Sequence, residues 1–268
     1  MEALRKRARE LLETGAVDVV IGYGAGSAPD RARAIFVRTP KQADELILDD
    51  RCSRNLAVYL MKPEVQALGR PAIVANVPAL RSILQLAAES QMADGRVVAI
   101  GFNGNGTLTE LPTFKAIEEY LAAIPPALTP EELARIATIE KMSMAERFAF
   151  WRSLFARCLR CYACRAACPL CYCGKCFVEC NQPQWIPAIP HEESNLEWHL
   201  TRAMHLAGRC INCGDCAAAC PVGIPLNVLT QMLAREVAGQ FGLHAGTSSK
   251  KEYVLSTFKT DDKETFIR

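Results

Sequence analysis

Cys158-Leu159-Arg160-Cys161-Tyr162-Ala163-Cys164-Arg165-Ala166-Ala167-Cys168-Pro169 and Cys210-Ile211-Asn212-Cys213-Gly214-Asp215-Cys216-Ala217-Ala218-Ala219-Cys220-Pro221 are two copies of one pattern, C-x2-C-x2-C-x3-C-P. In such a run three thiolates wrap a tight loop around one cubic iron–sulfur cluster, and the fourth, opening a helix, points away to a second cube. The proline closes the loop where no amide donor is wanted. The spacing assigns Cys158, Cys161, Cys164 and Cys220 to one 4Fe-4S cluster, and Cys210, Cys213, Cys216 and Cys168 to the other. Zinc knuckles use two C-x2-C pairs rather than two complete tetrads, so zinc is the poorer reading here.

Four further cysteines lie between the motifs: Cys171, Cys173, Cys176 and Cys180, spaced C-x-C-x2-C-x3-C. Thiolates this crowded repel one another when ionised and oxidise readily when exposed. A metal is the economical explanation. A third 4Fe-4S cluster and a tetrahedral zinc site both fit the donor set, the cluster being preferred, with a redox-active thiol group as a further alternative.

Of the 13 cysteines in 268 residues, only Cys52 lies outside the segment from Cys158 to Cys220. The 50% hydrophobic and 22% charged composition is that of a folded, soluble chain. Lys plus Arg number 31 against 29 Asp plus Glu, and the resulting +2 gives no basic excess for nucleic acid. The opening MEALRKRARELLETG has no apolar stretch after its basic residues, and no apolar run reaches the ~18–20 residues of a spanning helix. A cytoplasmic location without membrane insertion is expected, and in a reducing compartment clustered cysteines serve metals more readily than disulfides.

Upstream, helical and strand-like segments alternate. Leu4, Ala8, Leu11 and Leu12 have helical spacing, and short apolar strands are expected at Val17–Ile21, Ala34–Val37, Ala72–Val74 and Val97–Ile100. Helices are expected at Asn55–Met61, Leu80–Ala88 and Leu111–Ile124. Continuous apolar strands alternating with helices point to a largely parallel sheet. Pro125, Pro126 and Pro130 mark a junction. Two helices follow, Glu131–Glu140 and Met144–Arg157, whose Phe148, Phe150, Trp151 and Phe155 read as packing. Another helix, Glu193–Leu206, separates the motifs, and no hairpin signal accompanies them. The expected fold is an α/β N-terminal docking domain (1–126), a helical linker (127–157), an α-helical ferredoxin-like iron–sulfur domain (158–240) and a tail (241–268).

Smaller features read blandly. Gly22-Tyr23-Gly24-Ala25-Gly26 follows a strand but precedes Ser27-Ala28-Pro29, so it is a glycine turn rather than a dinucleotide site. Gly101-Phe102-Asn103-Gly104-Asn105-Gly106 is likewise a strand-to-helix turn, with phosphate binding as the weaker alternative. Cys52 reads as buried packing. His199 and His205 do not share a helix face and read as structural.

The segment from Cys158 to Leu226 resembles the C-terminal ferredoxin part of the beta subunits of deazaflavin-dependent formate dehydrogenase, within the wider family of deazaflavin-reducing hydrogenase beta subunits. The likeness extends to Leu170-Cys171-Tyr172-Cys173, Cys176, Met204-His205 and Ile224-Pro225-Leu226. It continues more faintly through Gly15-Ala16-Val17-Asp18, the segment around Cys52, and Ile100-Gly101-Phe102-Asn103. The departures matter as much. Asn76-Val77-Pro78-Ala79 stands where the family has a cluster-holding Pro-Cys element, and Gly104 where it has another cysteine. Cys52 is then the remnant of a site that one thiolate cannot sustain. The family's long flavin- and deazaflavin-binding segment between its two parts has no counterpart either.

The resemblance implies a pruned relative that keeps the electron-carrying part, in which flavin is not expected. The expected function is a non-catalytic electron-transfer subunit of a cytosolic redox complex. Its partners would be a formate dehydrogenase or hydrogenase catalytic subunit and a heterodisulfide-reductase-like flavoprotein. Two alternatives remain: a flavin-containing oxidoreductase subunit with its own site on the N-terminal domain, and a redox or oxygen sensor.

Overall fold

A computed structural model describes residues 1–102, 107–180 and 183–250. Helix α1 (Glu2–Glu13) lays Leu4, Ala8 and Leu11 against a five-stranded sheet. The strands are β1 (Val19–Ala25), β2 (Ala32–Val37), β3 (Pro71–Ala75), β4 (Val98–Phe102) and β5 (Leu108–Leu111), in the order β2-β1-β3-β4-β5. The three central strands are parallel, with Ile21 beside Ile73 and Ile73 beside Ala99. Both edges are antiparallel: β2 folds back on β1, and β5 on β4. The sheet is therefore mixed rather than largely parallel. Sequence missed β5, whose Thr109 and Glu110 give it no apolar run, and placed a helix start over Leu111.

The glycines after Ile21 are the second difference. They do not end β1; the strand runs through them to Ala25. A Cβ on Gly24 would lie 2.7 Å from Ile35 Cγ2, and one on Gly22 would overlap Leu46 Cδ2. The missing side chains let neighbouring groups close over the strand. Gly22→Ala is expected to cost ~1–3 kcal/mol by overpacking, measured as a lowered denaturation midpoint with unchanged slope.

Beyond the short turn α2 (Pro63–Gln66), helix α3 (Val77–Ala88) is the central crossover. Asn76 caps it by accepting the Ala79 amide at 3.0 Å, with Pro78 in the first turn. Leu80, Ile83 and Leu84 bury one face in the sheet core, while Leu86 joins Leu170, Leu206 and Ile211 of the cysteine-rich part. Helix α4 (Phe114–Ala122) closes the sheet part.

A second core is built by α5 (Pro130–Glu140), α6 (Met144–Ala156), α8 (Glu192–His205) and α10 (Leu226–Phe241), around the four-residue turns α7 (Ala163–Ala166) and α9 (Asp215–Ala218). Ile136, Trp151, Phe155, Trp198 and Val228 form its centre. Phe148, expected to pack, is 54% exposed.

Two buried contacts tie the parts together. Glu89, just beyond α3, accepts Arg209 Nε at 2.7 Å, Arg209 Nη2 at 2.5 Å and the Tyr172 hydroxyl at 2.5 Å. Asp215, opening α9, accepts the Asn55 amide at 2.7 Å and Arg54 Nη1 at 3.3 Å. The start of the tail also returns to the sheet part, where the Gly246 amide donates to Gln85 Oε1 at 2.9 Å and Ser249 Oγ to Glu118 Oε1 at 2.8 Å. The rest of the tail, and Asn103 to Gly106 with the glycine turn read there, lie outside the described residues.

Candidate metal centre

The two motifs repeat in backbone as well as in sequence. Arg160 and Asn212, each two residues after the first cysteine, have φ of +56° and +59°. Tyr162 and Gly214, each following the second cysteine, have φ of +56° and +76° and serve as N-caps of α7 and α9. Left-handed backbone costs a non-glycine residue roughly 1–2 kcal/mol, so three such positions are held by what surrounds them. The loops turn amides toward sulfur: Arg160 N donates to Cys158 Sγ at 3.3 Å, and Ile224 N to Cys220 Sγ at 3.4 Å. Such bonds favour the thiolate, the form that binds metal.

Cys158, Cys161, Cys164 and Cys220 line one small cavity, so the structure gathers the first cross-motif tetrad read from the spacing. Its free space is only about 20 Å³. The case for a cluster there rests on the donor set. Cys168, Cys210 and Cys213 pack around the small core that joins the two parts, and Cys216 lies within electrostatic reach of Cys210. The thiol of Cys171 touches that of Cys168.

The third group is less regular. Cys171, Cys173 and Cys176 line a cavity of about 390 Å³ with Phe177, Trp198 and Arg202. Cys180 is not in its wall; its Sγ donates to Cys176 O at 3.6 Å. Among the described residues no three His, Cys, Asp or Glu side chains are spaced to hold one ion. A cube spreads its thiolates more widely than an ion does.

Helix α8 supplies what the cysteine pattern did not reveal. Asn195, Trp198, His199 and Arg202, at helical spacing on one face, are all buried. Asn195 Nδ2 donates to Cys158 O at 2.9 Å, and Arg202 Nη2 to Cys164 O at 3.1 Å. The His199 ring stacks on Phe155 at 4.4 Å and borders the four-cysteine cavity. Buried polar atoms without a partner gather here: Arg160 Nη1, Asn195 Oδ1, His199 Nε2 and Arg202 Nε. Unsatisfied buried polar groups are costly, and the nitrogen atoms of Arg160, His199 and Arg202 beside the thiols, though not the acceptor Asn195 Oδ1, fit an anionic, sulfur-rich group there. Polar residues at i, i+4 and i+7 in α8, with Trp198 at i+3, were the available signal.

Burial governs the thiols. It pushes Cys213 up to about 12 and Cys216 to about 11, and raises Cys158, Cys164 and Cys171 as well, the last first through its contact with Cys168. Without metal these thiols are protonated at neutral pH, so loading must release protons. Burial likewise lowers His199 to about 3, aided by Arg202 and Arg160, so its imidazole is neutral. Cys52 stands apart, 4% exposed in the sheet core, its thiol raised by burial.

No family model matches the chain. A stretch of 99 residues, 37% of this chain, is 33% identical to the protein named F420-dependent formate dehydrogenase subunit beta of Methanocaldococcus jannaschii. The match covers 26% of that relative, so the chain spans about a quarter of its length. Among the described residues no helix is long and apolar enough to cross a membrane.

Proposed function

We propose that this chain is an iron–sulfur electron-transfer subunit of a multi-subunit redox complex. The observation that carries the reading is the convergence of Cys158, Cys161 and Cys164 with Cys220, from a motif about fifty residues away, on one cavity bordered by the buried His199, whose Nε2 has no partner. The match to a protein named as a formate dehydrogenase beta subunit supports it. Cys158, Cys161, Cys164 and Cys220 hold one 4Fe-4S cluster, and Cys210, Cys213, Cys216 and Cys168 the other. Residues 1–126 dock the subunit, 127–157 link, and 158–240 form the α-helical ferredoxin-like domain. Such clusters supply one-electron transfer. The chain's own residues hold the thiolates, exclude water with Trp198 and Phe155, and donate amides to sulfur.

The chain relays single electrons between a formate dehydrogenase or hydrogenase catalytic subunit and a heterodisulfide-reductase-like or other flavoprotein, in a cytoplasmic complex. Cys171, Cys173, Cys176 and Cys180 take a third cluster or zinc. Gly22 and Gly24, the one strand-borne glycine pair resembling a dinucleotide turn, face Leu46 and Ile35 rather than a ligand. Anaerobically purified protein is expected to bleach with dithionite, to recolour on a one-electron acceptor, and to release no flavin on denaturation. Stoichiometric flavin would replace the relay with a flavin-containing subunit.

A further inference from the structure

Arg202 is 5% exposed and, among the described residues, forms an ion pair with no carboxylate. Its Nη2 donates to Cys164 O at 3.1 Å, its Nε has no partner, and it shares a cavity wall with Cys171, Cys173 and Cys176. Its electrostatic neighbours are Cys171, Cys168, Cys164 and Cys216. Two of these, Cys168 and Cys216, belong to one cross-motif tetrad, and Cys164 to the other. Arg165 and Arg209, lining the same cavity, differ because each has its own carboxylate: Glu179 at 2.6 Å and Glu89 at 2.5 Å.

A buried, unpaired guanidinium is expensive, and a group that cannot lose its proton must find negative charge. Among the described residues only sulfur is placed to supply it. We propose that Arg202 is the shared counter-charge of both clusters, one fixed cation between two anionic cubes that holds both reduction potentials up. This rests on the cluster assignment above. Each cube gains one electron, and so one negative charge, on reduction by its donor. A cation in a low-dielectric site stabilises the reduced form more than the oxidised form. Because Arg202 neighbours cysteines of both tetrads, its removal acts on both.

The test is an anaerobic, EPR-monitored redox titration of the cluster-loaded chain and of Arg202→Met, Arg202→Gln and Arg202→Lys, with iron counted in each. Both midpoints are expected to move to more negative potential in the Met and Gln variants, and to stay closer to the parent in the Lys variant. Neutral variants with full iron and unmoved midpoints would overturn the proposal. So would movement of one midpoint alone, or a Lys variant shifted as far as the Met variant. If the neutral variants bind no iron while the Lys variant does, the charge requirement stands. If the Lys variant also fails, the role is hydrogen bonding or packing and the proposal falls. A parent chain without iron would sink the cluster assignment instead, before any variant is compared.

Discussion

Replacing Cys220 with serine is expected to abolish the cluster of the other motif. By sequence Cys220 belongs with Cys210, Cys213 and Cys216, but in space it lines the cavity of Cys158, Cys161 and Cys164. Ile224 N donates to its sulfur, and the residue lies two positions beyond the turn α9. Removing one of four thiolates should cost the chain about one cube, roughly four iron atoms, and one of its EPR signals. The double variants identify which cube. Cys158→Ser with Cys220→Ser should lose no more iron than Cys220→Ser alone, whereas Cys213→Ser with Cys220→Ser should lose both cubes. Ligation within each motif predicts the reverse pattern.

The largest stability effect is expected at Glu89. Its carboxylate is 1% exposed and accepts from both Arg209 and Tyr172 across the junction between the two parts. Glu89→Ala leaves the 14%-exposed Arg209 without its carboxylate. Removing one member of a buried ion pair costs ~3–5 kcal/mol. The unfolding midpoint in denaturant should fall accordingly. Glu89→Gln, which keeps an acceptor for Tyr172, should recover part of the loss. A change below ~1 kcal/mol would show that the junction is held by Leu86, Leu170, Leu206 and Ile211 instead.

Local elements were legible where a single period dominated. Leu4, Ala8 and Leu11 mark α1, and the apolar triplet Ala72-Ile73-Val74 marks β3, because each is buried where its pattern predicts. What sequence hid was long-range or backbone-borne. Strand β5 has one buried residue, Leu111, and β2 pairs only because β1 continues through Gly22 and Gly24. Nothing in Arg160 or Tyr162 announces left-handed backbone; only Gly214 does, and the likeness of the loops emerges when their φ angles are compared. The cysteines were legible from spacing alone. Their surroundings were not, because Asn195, His199 and Arg202 lie 37 to 44 residues from Cys158 by number and meet the loops only through the packing of α8.

Cys52 shows how a resemblance and a structure complement each other. Similarity makes it the remnant of a lost ligand set; the fold places it in a sealed apolar core with Ile47 O 3.8 Å from its sulfur. Packing accounts for it fully here.

The central claim is that the cysteine-rich part holds two cubic clusters by cross-motif ligation, with a third metal group between them. Its most direct test is iron, zinc and acid-labile sulfide analysis of the anaerobically purified chain. The account predicts at least about eight iron and eight sulfide per chain, rising to about twelve of each if Cys171, Cys173 and Cys176 carry a third cube, or about eight with one zinc if they carry an ion. Zinc alone, or iron without matching sulfide, would contradict it.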